Sequence, residues 1–167
     1  LVRTELMAEW QSTLPENSAN HFAINIQPAE REIARDLLVL NGIENPEFTP
    51  LVRARISHVN GVPLNEYQAK DDRAEEELRD DLNISWSSLL SPGNELVDGQ
   101  WWEEGDSDPQ LSLEWDELND MGLSLGDELT FAIAGESTKV RITSTRRISW
   151  DTFRPNFFMV VNPGVLD

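Results

Sequence analysis

The stretch HFAINIQPAEREIARDLLVLNGIENPEFTPLVRARISHVNG, His21 to Gly61, decides the fold class because its hydrophobic period changes twice. From His21 to Ile26 polar and apolar residues alternate, the two-residue period of a strand with one buried face. Pro28 stands where a helix tolerates it, in the first turn, and Ala29 to Leu40 brings Ile33, Leu37 and Leu40 round at helical spacing. Asn41-Gly42 then supplies the left-handed residue that ends such a helix. Leu51 to Val59 is again strand-like and runs into Asn60-Gly61, a pair suited to a two-residue hairpin turn. Strand, helix and strand in succession make this an α+β chain.

Working outward, Leu6, Trp10 and Leu14 share one helical face, so residues 1–14 read as a short helix stopped by Pro15. Downstream, Glu66 to Leu82 predicts a second helix with a narrow stripe of Ala74, Leu78 and Leu82 and a solvated acidic face. Beyond Ser91-Pro92-Gly93 the texture changes to short strands: Glu95 to Val97, Gln100 to Trp102, and Leu129 to Ala134 with Thr138 to Thr145 around a turn at Ala134-Gly135-Glu136. A short helix over Glu114 to Met121 precedes the turn-rich Gly122 to Asp127. Asn156 to Val161 is an apolar strand able to rejoin the first sheet.

The 167 residues carry 13 Lys and Arg against 31 Asp and Glu, a net charge of -18. Glu66 to Glu128 holds 3 of the bases and 20 of the acids. That charge repels phosphate backbones and polybasic-type adsorption on anionic lipid, so nucleic-acid partners are excluded, and it predicts a monomer in solution. No run of about 18 apolar residues is present to span a bilayer. The chain starts at Leu1 rather than Met, the expectation for a processed chain or one cut from a longer protein. The absence of cysteine removes disulfides, thiolate metal sites and thiol nucleophiles.

Little in the sequence points to chemistry. Glycine loops that cradle phosphates are missing, so no cofactor is expected. His21 and His58 lack companions at metal-ligand spacing. Asp106 and Asp108 with Glu117 imitate a calcium loop, but Leu111 stands where the turn needs glycine. A free-standing hydrolase using a carboxylate pair between Asp98 and Glu117 is the alternative reading, and it requires a deep cleft with one acid held protonated. Among six tryptophans, the adjacent Trp101 and Trp102 are candidates for contact with a partner or ligand. If they lie in a strand, one faces the core and the other faces out.

Several segments together resemble a family. Leu6-Met7-Ala8-Glu9-Trp10-Gln11, Pro15 and Asn20 to Gln27 resemble the start of the first large extracytoplasmic domain of FtsX/MacB-like ABC transporter permeases, in the YbbP-like subgroup. Asp98-Gly99-Gln100-Trp101-Trp102 is similar to their Gly-Arg-aromatic-aromatic segment, with Gln100 where Arg is usual. Gly122 to Leu129 is similar to their Leu-Gly-Leu-x-x-Gly-Asp stretch, and Asp151-x-Phe153-Arg154-Pro155-Asn156-Phe157-Phe158 matches the subgroup.

The resemblance implies a non-catalytic domain on the periplasmic side of the inner membrane. It implies a stalk helix over 1–14, a porter-like strand-helix-strand subdomain over 15–90 with 149–167, and a small β-rich, sabre-like subdomain inserted over 91–148. The partners implied are a cytoplasmic ATPase subunit, reached through the rest of the permease, a second permease copy and a periplasmic partner. The cargo implied is hydrophobic or lipid-like. The insertion would leave near Leu90 to Asn94 and return near Ile148 to Phe153, with Pro92-Gly93 as hinge.

Overall fold

The structure, a computed structural model, describes residues 26–150 and 154–166. The helix expected over 1–14, His21 and the strand residues up to Asn25 lie outside them. Two compact units are present, residues 1–49 with 151–154 and residues 50–150 with 155–167.

In the first unit the expected helix forms. A 3-10 turn at Pro28–Glu30 leads into α1, Arg31–Leu40. The Gln27 N–H donates to the Glu30 carboxylate at 3.2 Å, which satisfies one of the amides left over at a helix start. At the other end Gly42 takes φ +83°, its N–H bonds the Val39 carbonyl, and Ile43 N–H bonds Leu38 O at 3.0 Å. Those two bonds are the Schellman pair that the Asn41-Gly42 signal anticipates.

The second unit is a closed barrel. Its strands are β1 (Val52–Val59), β2 (Val62–Pro63), β3 (Leu82–Trp86), β4 (Asn94–Gly99), β5 (Gln110–Glu114), β6 (Glu128–Ile133), β7 (Glu136–Ile148) and β8 (Met159–Val161). Its helices are α2 (Asp72–Arg79) and α3 (Trp115–Asp120). Following the ladders, β1 pairs β3, β3 pairs β8, β8 pairs β5, β5 pairs β7, β7 pairs β6, and β6 returns to β1. Only β3 with β8 and β5 with β7 are parallel. Closure leaves none of these six strands as an edge. β2 hairpins onto β1 through Asn60 and Gly61, both at positive φ, and β4 lies against the far end of β7.

The α+β expectation holds, and most of the regular structure is sheet. The barrel draws β1, β3 and β8 from the segments expected to be porter-like and β5, β6 and β7 from the segment expected to be inserted. The places where the chain leaves and returns are bonded to each other: Ser149 N–H donates to Gly93 O at 2.8 Å, and Asn94 pairs with Ile148. Inside, Ile56, Ile84, Leu111, Leu113, Leu129, Phe131, Val140, Ile142, Met159 and Val161 are buried, and Leu78, Leu118, Met121 and Leu123 extend the same core. Such a barrel is filled by its own side chains.

The structure corrects three expected elements. The helix expected over Glu66 to Leu82 is only Asp72–Arg79, because Asp71 is extended and its carboxylate accepts the Ala74 N–H at 2.8 Å as an N-cap. Leu82 instead begins β3, where Ile84 is fully buried. Gln100 to Trp102 is not a strand, since β4 ends at Gly99 with φ +79°. The C-terminal strand is confined to Met159–Val161.

Two charged side chains among the described residues are buried, Glu114 and Arg146. Arg146 on β7 is 1% exposed. Its Nε donates to Asn94 Oδ1 at 3.0 Å, its Nη1 to Ser112 O at 2.7 Å and Ser112 Oγ at 3.2 Å, and its Nη2 to Phe157 O. Burial lowers its pKa to about 10, against the opposing field of Glu114. The guanidinium thus ties β4, β5 and the approach to β8 to one point of β7, using the fixed fork that a lysine lacks.

Candidate functional site

The turn at Gly99 positions the two indoles. Gly99 pairs with Ser144 of β7, and the Gln100 N–H reaches Thr143 O at 3.3 Å, so the chain leaves β4 pressed against β7. The next two side chains are then fixed by carbonyls of the segment after β3: Trp102 Nε1 donates to Ser87 O at 2.9 Å and Trp101 Nε1 to Ser88 O at 3.1 Å. The ring centroids are 3.9 Å apart with planes inclined at 31°. Trp102 is buried and Trp101 half-exposed, the expected difference in exposure. The rings stack on each other, however, rather than facing opposite ways, because they do not stand in a strand.

A half-open pocket of about 390 Å³ lies here, lined by Gly99, Trp101, Trp102, Glu103, Asp106 and Gln110 among others. Asp106, singled out in the sequence for its resemblance to a calcium ligand, instead shapes the loop. Its Oδ2 accepts the Glu103 N–H at 3.0 Å and Gln110 Nε2 at 3.1 Å. Asn162 holds the other side of the loop, donating to the carbonyls of Asp106 and Asp108 and accepting the Gln110 N–H at 2.8 Å. Gln110 carried no signal in the sequence; it reaches the pocket because β5 begins there.

The remaining sequence candidates sit elsewhere. His58 Nδ1 lies 2.8 Å from Ser57 Oγ, whose hydroxyl is also within reach of Thr130 O, a contact internal to the β1–β6 pair. Among the described residues no group of three or more His, Cys, Asp or Glu is placed to hold a metal ion. The segment Gly122 to Leu129 is a structural clasp. Gly122 and Leu123 close α3 with bonds to Asn119 O and Leu118 O, and Asp127 Oδ2 accepts the Ser124 N–H at 2.8 Å. Asp127 Oδ1 accepts Asn60 Nδ2 at 3.0 Å and Asn60 Oδ1 accepts the Glu128 N–H at 2.9 Å, so this turn is stapled to the Asn60-Gly61 hairpin.

Among the described residues, Glu117 on α3 is the acid whose titration departs furthest from ordinary behaviour. Half-burial, then the fields of Glu77, Asp120 and Glu114, raise its pKa from 4.5 to about 7, with Arg73 opposing. Arg73 is itself committed to Asp120 at 2.7 Å across the α2–α3 contact. Glu117 does not line the pocket beside Trp101, so the raised acid and that pocket are separate features.

The shift has a direction in pH. A folded-state pKa above the unfolded value means that the stability associated with Glu117 is fully present below about pH 4.5 and is lost as pH rises through about 7. Because the side chain is half-exposed, screening reduces the effect to about 1–2 kcal/mol. Urea midpoints measured from pH 5 to 8 are expected to fall for the native chain relative to Glu117→Gln. Parallel midpoint curves for the two proteins would refute this assignment.

No protein-family model matches the chain. Among curated proteins it is 30% identical over 167 residues to the uncharacterized ABC transporter permease YbbP of Escherichia coli (strain K12). The alignment takes in 100% of this chain and 20% of that protein, so the chain spans about a fifth of the length of its relative. The resemblance to the YbbP-like ABC transporter permeases therefore holds over the whole chain, which is similar to one part of such a permease.

Proposed function

We propose that this chain is a non-catalytic extracytoplasmic domain of a FtsX/MacB-like ABC transporter permease, standing on the periplasmic side of the inner membrane and relaying ATP-driven conformational change. The observation that carries the reading is the end-to-end match with a fifth of a known permease. It is supported by the described helices, none of which is long and apolar enough to cross a membrane. A closed barrel braced by a buried arginine suits a relay, since it moves as one body instead of dissipating displacement. In this reading the porter-like label belongs to residues 15–90 with 149–167 and the sabre-like label to 91–148; the barrel takes β1, β3 and β8 from the first and β5, β6 and β7 from the second. The partners are a cytoplasmic ATPase subunit, a second permease copy and a periplasmic protein, and the cargo is hydrophobic or lipid-like.

Two experiments on the full permease test the proposal. Replacing this segment by a Gly/Ser linker should leave ATPase subunit assembly intact and lower ATP turnover of the reconstituted transporter several-fold; unchanged turnover would overturn the relay. This segment contains no cysteine, so Glu104→Cys at an exposed loop position, in a permease whose other cysteines have been replaced, reports sidedness. Labelling by a membrane-impermeant maleimide in spheroplasts is expected, and labelling confined to inverted vesicles would refute the periplasmic assignment.

A further inference from the structure

We propose that the pocket beside Trp101 binds an organic ammonium group, held between the indole face of Trp101 and the carboxylates of Glu103 and Asp106. This goes beyond the permease reading and stands apart from it, since binding is measured on the 167-residue chain alone.

Three observations converge. The cavity, at about 390 Å³, falls within the range of about 300–1,000 Å³ typical of small-ligand sites. Its aromatic wall is held in place before any ligand arrives: Trp102 is buried, Trp101 stacks on it, and both indole N–H groups are spent on the backbone carbonyls of Ser87 and Ser88. With their donors committed, what the rings offer a ligand is the π surface of Trp101, a half-exposed residue that lines the pocket. A π face attracts cations, above all those whose hydration shell is loose.

The polar lining selects in the same direction. Glu103 is exposed and Asp106 is held toward the loop by the Glu103 amide and Gln110, while no Lys, Arg or His among the described residues lines the pocket. An anion would meet two carboxylates with no countercharge, inside a chain of net charge -18. A bare metal ion lacks the three-carboxylate or imidazole set that would replace its water. An ammonium or quaternary ammonium group satisfies both the aromatic face and the acids. Such a group occurs in small soluble amines and in zwitterionic lipid headgroups.

The test follows the two indole N–H resonances by NMR while choline chloride is added to the chain, with 3,3-dimethylbutan-1-ol as a neutral isostere. Choline is expected to give saturable shifts that the alcohol does not. Glu103→Gln, at an exposed position with no side-chain role in the fold, should weaken binding about threefold, and Trp101→Leu should abolish it. No saturable shift, an equal response to the alcohol, or unaltered binding in both variants would overturn the proposal. Phosphatidylcholine vesicles added as competitor separate the sources. Displacement of choline identifies a lipid headgroup and its absence a soluble amine, and either result supports the ammonium chemistry.

Discussion

Arg146→Met is expected to destabilise the chain by about 3–5 kcal/mol, read as a large fall in the urea midpoint with the slope unchanged. Methionine fills much of the volume but donates nothing. The carbonyls of Ser112 and Phe157 and the amide oxygen of Asn94 would then be left without this donor in the interior, and each buried acceptor without a partner costs about 1–3 kcal/mol. Glu114, buried and in register with Arg146 across the β5–β7 ladder, would lose the favourable field of Arg146. Arg146→Lys should recover only part of the loss, since one ammonium cannot reach all four acceptor atoms that the guanidinium spans. If Arg146→Met unfolds at the same urea concentration as the native chain, the bracing role assigned to this residue is wrong.

Gly99→Ala is the second large effect, expected at about 2–4 kcal/mol. A methyl group there would lie 2.2 Å from Thr143 O and 2.8 Å from Ser144 Cα, both backbone atoms of β7 that cannot step aside without breaking the ladder. Gly135→Ala is the matched control. Gly135 has a similar positive φ of +89°, but nothing lies within 4 Å of its added Cβ, so only the conformational cost of about 1 kcal/mol remains. The difference between the two variants in thermal or urea unfolding isolates the close approach of β4 to β7. Equal losses at both sites would show that the approach is looser than the geometry states.

What could be read in the sequence was what local chemistry decides. The α1 stop at Asn41-Gly42, the Asn60-Gly61 hairpin and the Ala134-Gly135 turn were legible because positive φ is demanded at the residue itself. β3 and β5 were not. Asn83 and Ser85 in one, and Ser112 in the other, blur the apolar signal, and each strand is held by partners distant in the chain. The acidic run before β3 read as one long helix because nothing along its face marks the cap that Asp71 makes. Arg146 did leave a trace: it shares its parity along β7 with Val140, Ile142 and Ile148, all buried. That parity marks the buried face only once the fold is known, and in the sequence a lone arginine at such a position reads as a break in the pattern. For the pocket, the paired indoles were visible, whereas Gln110 and Asp106 join them only through the fold.

The position of β8 in the barrel governs when the molecule can become itself. This strand, the last in the chain among the described residues, is the slat between β3 and β5. Every other strand of the ring is synthesised first and must wait with unpaired backbone on β3 and β5. A nascent chain ending before Met159 can form the β1–β2 and β6–β7 hairpins but cannot close the ring. Pairing across such separations is slow, on the order of milliseconds to seconds, and the waiting edges are the sites at which an unfinished copy would pair with another. Closure of the ring therefore waits for β8, and a variant of this segment truncated before Met159 is expected to expose β3 and β5 as open edges and to aggregate.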